Sequence, residues 1–167
     1  MLPHIRLAEL SDVPDITECY LRSWRAAYAA DLESEALVVE AEKRRSFDWA
    51  RGIGEDSTGV FVASDHRGLL GVVQSNLSLP PPRNLPEITM LYVDPRAWGT
   101  GAANALLEAG TDWIRQKDHA AARLRVVESH HRARRFYERE GWILDDGIAP
   151  AANDLFRLIY YRRTLTS

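Results

Sequence analysis

One cysteine, Cys19, occurs in 167 residues. A single thiol excludes a disulfide within the chain and any cysteine-based zinc cluster. Cys19 falls in an apolar helical stripe, where a small core residue is expected rather than a reactive thiol. No apolar run approaches the ~20 residues of a membrane span, and the first six residues have no signal-peptide pattern. A soluble, cytoplasmic protein without a membrane partner is the expectation. Charge of one sign is also scarce, with a formal net charge of −3. Nothing therefore draws the whole chain toward nucleic acid, and no nucleic-acid partner is expected. His130 and His131 are adjacent, so they cannot share a helix face, and no His-Glu-x-x-His spacing exists. No metal is expected. Gly-x-Ser-x-Gly is missing, which removes a serine nucleophile elbow.

What is present is an ordinary globular composition, 46% hydrophobic and 27% charged. A short strand is expected at residues 5–7. Ser11 reads as an N-cap, and Ile16, Cys19, Tyr20, Ser23, Trp24 and Ala27 follow at helical spacing. A second helix is expected over residues 40–50, carrying Phe47 and Trp49. Strands at 60–64 and 69–75 flank a hairpin link, Asp65 to Gly68. Pro80-Pro81-Pro82-Arg83-Asn84 reads as a surface loop. Residues 87–93 form a strand ended by Asp94-Pro95. Leu106, Leu107, Gly110, Trp113 and Ile114 give one helix face. A strand at 124–127, a short helix with Ala133, Phe136 and Tyr137 stopped by Gly141, and strands at 143–144 and 155–163 complete the chain. The expected class is α/β (α+β): one domain around a mixed, mostly antiparallel sheet flanked by helices, with strand–helix–strand crossovers in its second half.

The segment with chemical content is residues 90–107. Two glycines and then small residues stand between a strand and a helix. Small residues let a ligand approach the backbone. The first helical N–H groups have no partner in the helix, and the dipole makes that end electropositive. A pyrophosphate fits there without a lysine. The segment is neither a Walker loop nor a complete Gly-x-Gly-x-x-Gly fingerprint, because position 104 is Asn.

Val93-Asp94-Pro95, the glycine turn and Ala105-Leu106-Leu107 resemble the central motif of the GCN5-related N-acetyltransferases. In that family a Gln/Arg-x-x-Gly-x-Gly/Ala loop holds the coenzyme A pyrophosphate. Arg96-x-x-Gly99-x-Gly101 fits the letters. Trp98-x-x-Gly101-x-Ala103 fits the distances to the flanking motifs and is preferred. Downstream, Val126 to Trp142 is similar to the family's Val-x-x-x-Asn-x-x-Ala-x-x-Phe-Tyr-x-x-x-Gly-Phe/Trp, with His130 at the Asn position. Trp24-Arg25-Ala26-Ala27-Tyr28 also resembles the first helix of many members.

The resemblance implies acetyl-coenzyme A as cofactor and a primary amine of a small molecule or peptide as substrate partner. It implies that the backbone of Trp98, Gly99, Thr100, Gly101, Ala102, Ala103 and Asn104 cradles the pyrophosphate. Leu91, Tyr92 and Val93 would run beside the pantetheine, with the N–H of Tyr92 or of Val93 as oxyanion donor. His130 and Arg132 would also meet the cofactor. Glu87 is the nominated base: a carboxylate near pKa 4.3 becomes useful when partial burial raises it. Tyr137 is the nominated acid. Trp24, Tyr28 and Asn76 would line the acceptor side, and a homodimer is expected because many members dimerise. A non-catalytic acetyl-coenzyme A sensor stays open as the alternative to an enzyme.

Overall fold

The computed structural model describes residues 2–165. The backbone divides into two compact units. The first holds the chain up to Gln74 together with Met90–Gly110, and the second holds Ser75–Thr89 and the chain from Thr111 onward.

In the first unit β1 (His4–Leu7) lies antiparallel to β2 (Thr58–Asp65), with Ile5 opposite Ala63 and Leu7 opposite Phe61. A two-residue turn, His66-Arg67, leads into β3 (Gly68–Asn76). So short a link permits only an antiparallel neighbour. Asp65 Oδ1 accepts the Arg67 N–H at 2.8 Å and closes the turn. The strands run β1-β2-β3-β4, where β4 (Glu87–Val93) begins in the second unit and ends in the first. Gly71 has a packing reason: a Cβ there would meet Leu106 Cδ1 at 2.8 Å and the Tyr92 carbonyl oxygen at 2.9 Å.

Helix α1 (Val13–Tyr28) buries Ile16, Cys19, Tyr20, Ser23 and Trp24, the expected stripe. Its start differs from expectation. Ser11 is not the cap; Glu9 and Asp12 form a reciprocal capping box around the turn Leu10–Asp12. The expected helix over residues 40–50 is also corrected. α2 (Ser34–Lys43) passes into the single turn Arg44–Ser46, Phe47 is extended, and α3 (Trp49–Gly54) begins anew. Asp48 causes the restart, because its Oδ1 accepts the Arg51 N–H at 2.9 Å. Phe47 and Trp49 then meet Tyr20 edge-on, with centroids 6.1 and 5.5 Å away.

α4 (Ala102–Gln116) buries Leu106, Leu107 and Ile114, as the sequence pattern requires. In the second unit the start of β4 pairs in parallel with β5 (Ala121–Val127), Glu87 opposite Arg123 and Ile88 opposite Leu124. β5 is antiparallel to β8 (Arg157–Thr164) along its whole length. β6 (Ile143–Leu144) and β7 (Ala151–Ala152) both lie antiparallel to β8. β7 has no counterpart in the expectation, and the last strand starts later than expected. Leu155 and Phe156 lie in a turn where Asn153 Oδ1 accepts both their N–H groups, at 2.9 and 2.8 Å. α5 (His131–Arg139) buries Tyr137 and is followed by Gly141 at φ 89°. The sheet is mixed and mostly antiparallel, and helices flank it.

Candidate active site

The turn after β4 is built by its own side chains. Asp94 Oδ1 accepts the Arg96 N–H at 3.1 Å, and Oδ2 accepts from Arg22 Nε at 2.9 Å. Arg96 Nη2 donates to the Leu69 carbonyl at 2.9 Å, so its guanidinium serves the fold. Trp98 Nε1 donates back to the Val93 carbonyl at 2.9 Å, tying the turn to the strand end. Gly99 and Gly101 have φ 76° and 91°, and a Cβ on either would meet nothing within 4 Å. Glycine is needed here for its left-handed backbone, since L side chains at positive φ are strained. Thr100 Oγ1 donates to the Ala97 carbonyl. Among the described residues the N–H groups of Gly99, Gly101 and Ala103 have no acceptor. Open donors at the head of a 15-residue helix suit an anion, and the emptiness around the glycines leaves it room. The residues present therefore fit a pyrophosphate.

Leu91, Tyr92 and Val93 complete β4 in the same unit. The Tyr92 ring lies 4.7 Å from Tyr20, and its hydroxyl meets Tyr28. Burial pushes the Tyr28 phenol up to about 12, against that hydrogen bond. Trp24 is only 2% exposed, with Tyr28 at 5.0 Å and the Arg44 guanidinium 4.0 Å over its ring. Trp24 and Tyr28 are thus core aromatics of the first unit. Arg44 escaped the sequence reading, because nothing in its neighbourhood along the chain points to Trp24.

In the second unit Glu87 is fully buried. Arg83 Nε and Nη2 donate to its two carboxylate oxygens, each at 2.8 Å. Full burial and this bidentate pair differ from the partial burial expected of the nominated base. Arg123, opposite Glu87 on β5, is held by Asp145 Oδ2 at 3.0 Å and Asn84 Oδ1 at 3.4 Å. Asn76 ends β3, with its Oδ1 accepting the Ser78 N–H at 3.0 Å.

Tyr137 is 9% exposed, and its ring lies 6.5 Å from both Trp142 and Tyr161. The basic run of α5 divides by direction. Arg134 turns inward, donating to the Glu128 carbonyl at 2.9 Å and to Tyr161 Oη at 3.1 Å, while Arg132 and Arg135 are exposed. Tyr161 in turn donates to Glu138 at 2.8 Å. His130 precedes the helix, and its backbone N–H donates to the Val127 carbonyl. Among the described residues no cluster of His, Cys, Asp or Glu could hold a metal. No helix there is long and apolar enough to cross a membrane.

The acetyltransferase (GNAT) family model matches residues 15–142, and the chain belongs to that family. An N-acetyltransferase of Archaeoglobus fulgidus, itself uncharacterized, is 29% identical over 136 residues, 80% of this chain and 88% of that protein. A mycothiol acetyltransferase of Propionibacterium freudenreichii subsp. shermanii is 34% identical over 131 residues, 75% of this chain but only 40% of the relative. Among solved structures, the PaiA N-acetyltransferase of Thermoplasma acidophilum in complex with coenzyme A superposes with a TM-score of 0.79. The superposition covers 96% of this chain and 98% of that one at 18% identity, a likeness of fold alone.

Proposed function

We propose that the protein transfers the acetyl group of acetyl-coenzyme A to a primary amine of a small molecule or peptide, by direct attack in a ternary complex. The observation that carries this reading is the glycine turn, whose open N–H groups head α4 in a chain of this family. Acetyl-coenzyme A supplies an activated thioester. The backbone from Trp98 to Asn104 holds its pyrophosphate, and Leu91 to Val93 run beside the pantetheine. The N–H of Tyr92 or Val93 donates a hydrogen bond to the carbonyl oxygen as negative charge develops on it. A protonated amine is no nucleophile, so Glu87 takes its proton. Tyr137 Oη holds the proton that the departing sulfur needs, and a phenol near pKa 10 matches a thiolate of similar basicity. His130 and Arg132 add cofactor contacts. Trp24, Tyr28 and Asn76 belong to the acceptor side, the first two from the core, where Tyr28 meets Tyr92.

The test supplies a panel of polyamines, amino acids and peptide N-termini with acetyl-coenzyme A and a thiol-trapping dye. Free thiol released with at least one amine supports the reading. Coenzyme A binding by calorimetry without thiol release from any amine would leave a sensor instead. No binding at millimolar coenzyme A would remove both. A cytoplasmic homodimer belongs to the same reading, and light scattering on the eluted protein tests the dimer.

A further inference from the structure

Glu87 poses a chemical problem. A carboxylate with no solvent exposure, and with both oxygens bound to one guanidinium, cannot accept a proton from anything else. Arg83 also never supplies that proton, because guanidinium does not deprotonate in proteins. Nor can Arg83 simply leave, because an unpaired buried carboxylate is strongly unfavourable. Another cation must take its place. Arg123 is unavailable, being held by Asp145 and Asn84. Arg83 itself sits in the proline-rich loop before β4, where its N–H closes a turn on the Pro80 carbonyl at 3.1 Å. Its side chain is 19% exposed while that of Glu87 is not exposed at all, so the guanidinium is the outer member of the pair.

We propose that Arg83 is a latch on Glu87, exchanged for the acceptor's own ammonium group. The inference rests on Glu87 being the base of the proposed reaction. Exchange preserves charge neutrality, since one cation replaces another against the same carboxylate. What changes is the acidity of the partner. An alkylammonium can transfer a proton: its N–H bond breaks, an O–H bond forms on Glu87, and the nitrogen keeps the lone pair. Transfer turns the ion pair into two neutral groups, so no buried charge is left without a partner. The slot therefore selects primary alkylamines and rejects guanidines as acceptors. A guanidinium fills it without giving up a proton, as Arg83 does at rest. Arg83 is thus a positioning and specificity-determining residue that acts through Glu87.

Two measurements test the exchange. Nitrogen-15 spectra of arginine-labelled protein follow the Arg83 Nε–H, assigned by its absence in Arg83→Gln. Adding n-butylammonium should move that signal and speed its exchange with water; an unmoved signal at saturating n-butylammonium overturns the proposal. The second compares Arg83→Gln with the parent, using the amine of highest turnover in the panel. Removing the competitor should lower KM for the amine by about tenfold or more. Methylguanidinium should become a stronger inhibitor competitive with the amine. An unchanged or raised KM, in protein with normal circular dichroism and coenzyme A affinity, overturns the latch. That failure is distinct from failure of the acetyltransferase reading, which the parent protein alone reports through thiol release.

Discussion

Beyond the end of β4, Gly99 and Gly101 hold positive φ in open space with main-chain N–H groups that have no acceptor among the described residues; at its start, Glu87 is buried with both oxygens on one arginine. The first region presents backbone, held in place by the Asp94 and Trp98 side chains and bare at the two glycines. The second depends on the identity of two side chains, and its backbone is ordinary strand. The difference teaches where each kind of chemistry can reside. Anion binding by N–H groups tolerates exposure, because a helix end supplies many donors. A buried carboxylate depends instead on the one partner that neutralises it.

Substitutions should separate the two. Glu87→Gln should lower turnover by about 10²–10⁴-fold, the usual weight of a general base, and leave coenzyme A affinity unchanged. A parallel loss of coenzyme A affinity by calorimetry would dissolve the distinction. Tyr137→Phe keeps the ring against Trp142 and Tyr161, and should lower turnover by about 10²-fold with cofactor binding intact. Unchanged turnover would remove the hydroxyl from the mechanism. Gly101→Val should act on the other side of the comparison. Roughly 1–2 kcal/mol of left-handed strain, with the turn distorted, should weaken coenzyme A by about tenfold and spare KM for the amine. Equal affinity in parent and variant would show that the turn is not the cradle.

Smaller effects sharpen the picture. Trp98→Phe loses the bond to the Val93 carbonyl and should reduce stability by about 0.5–1.5 kcal/mol in denaturant melts, with turnover little changed. The last prediction concerns neither region. Arg6 hydrogen-bonds both oxygens of Asp12 and lowers its pKa below the usual carboxylate value. A lowered folded-state pKa contributes stability above the unfolded value and loses it as pH falls through the folded one. The melting gap between parent and Asp12→Asn should be open at neutral pH and close on acidification. A gap that ignores pH would contradict this.

Much of this architecture was legible because its signals are local. The stripe of α1, the strand from Glu87 to Val93 and the stop at Gly141 follow from periodicity and from proline and glycine chemistry over a few residues. The break at Phe47–Asp48 was missed because two apolar rings continued a helical pattern, while a single capping side chain decided against it. β7 was missed because two alanines between loop residues carry no pattern; they are a strand only because β8 is beside them. Glycine spacing marked the turn, and the family resemblance nominated Glu87 and Tyr137. Neither signal could mark Arg44 over Trp24 or Arg134 on Tyr161, which join residues 20 or more apart in the chain.

The sequence by itself determined that a glycine turn at a helix head follows β4, because positive φ at glycine and open donors at a helix head are properties of a short segment. It also determined the family, through two motifs at correct mutual spacing. Only the tertiary structure decided the state of Glu87. Burial is settled by neighbours from distant parts of the chain. The Arg83 pair has a short spacing, but it forms because a loop turns an arginine back onto a strand, and no helical or strand period announces that contact.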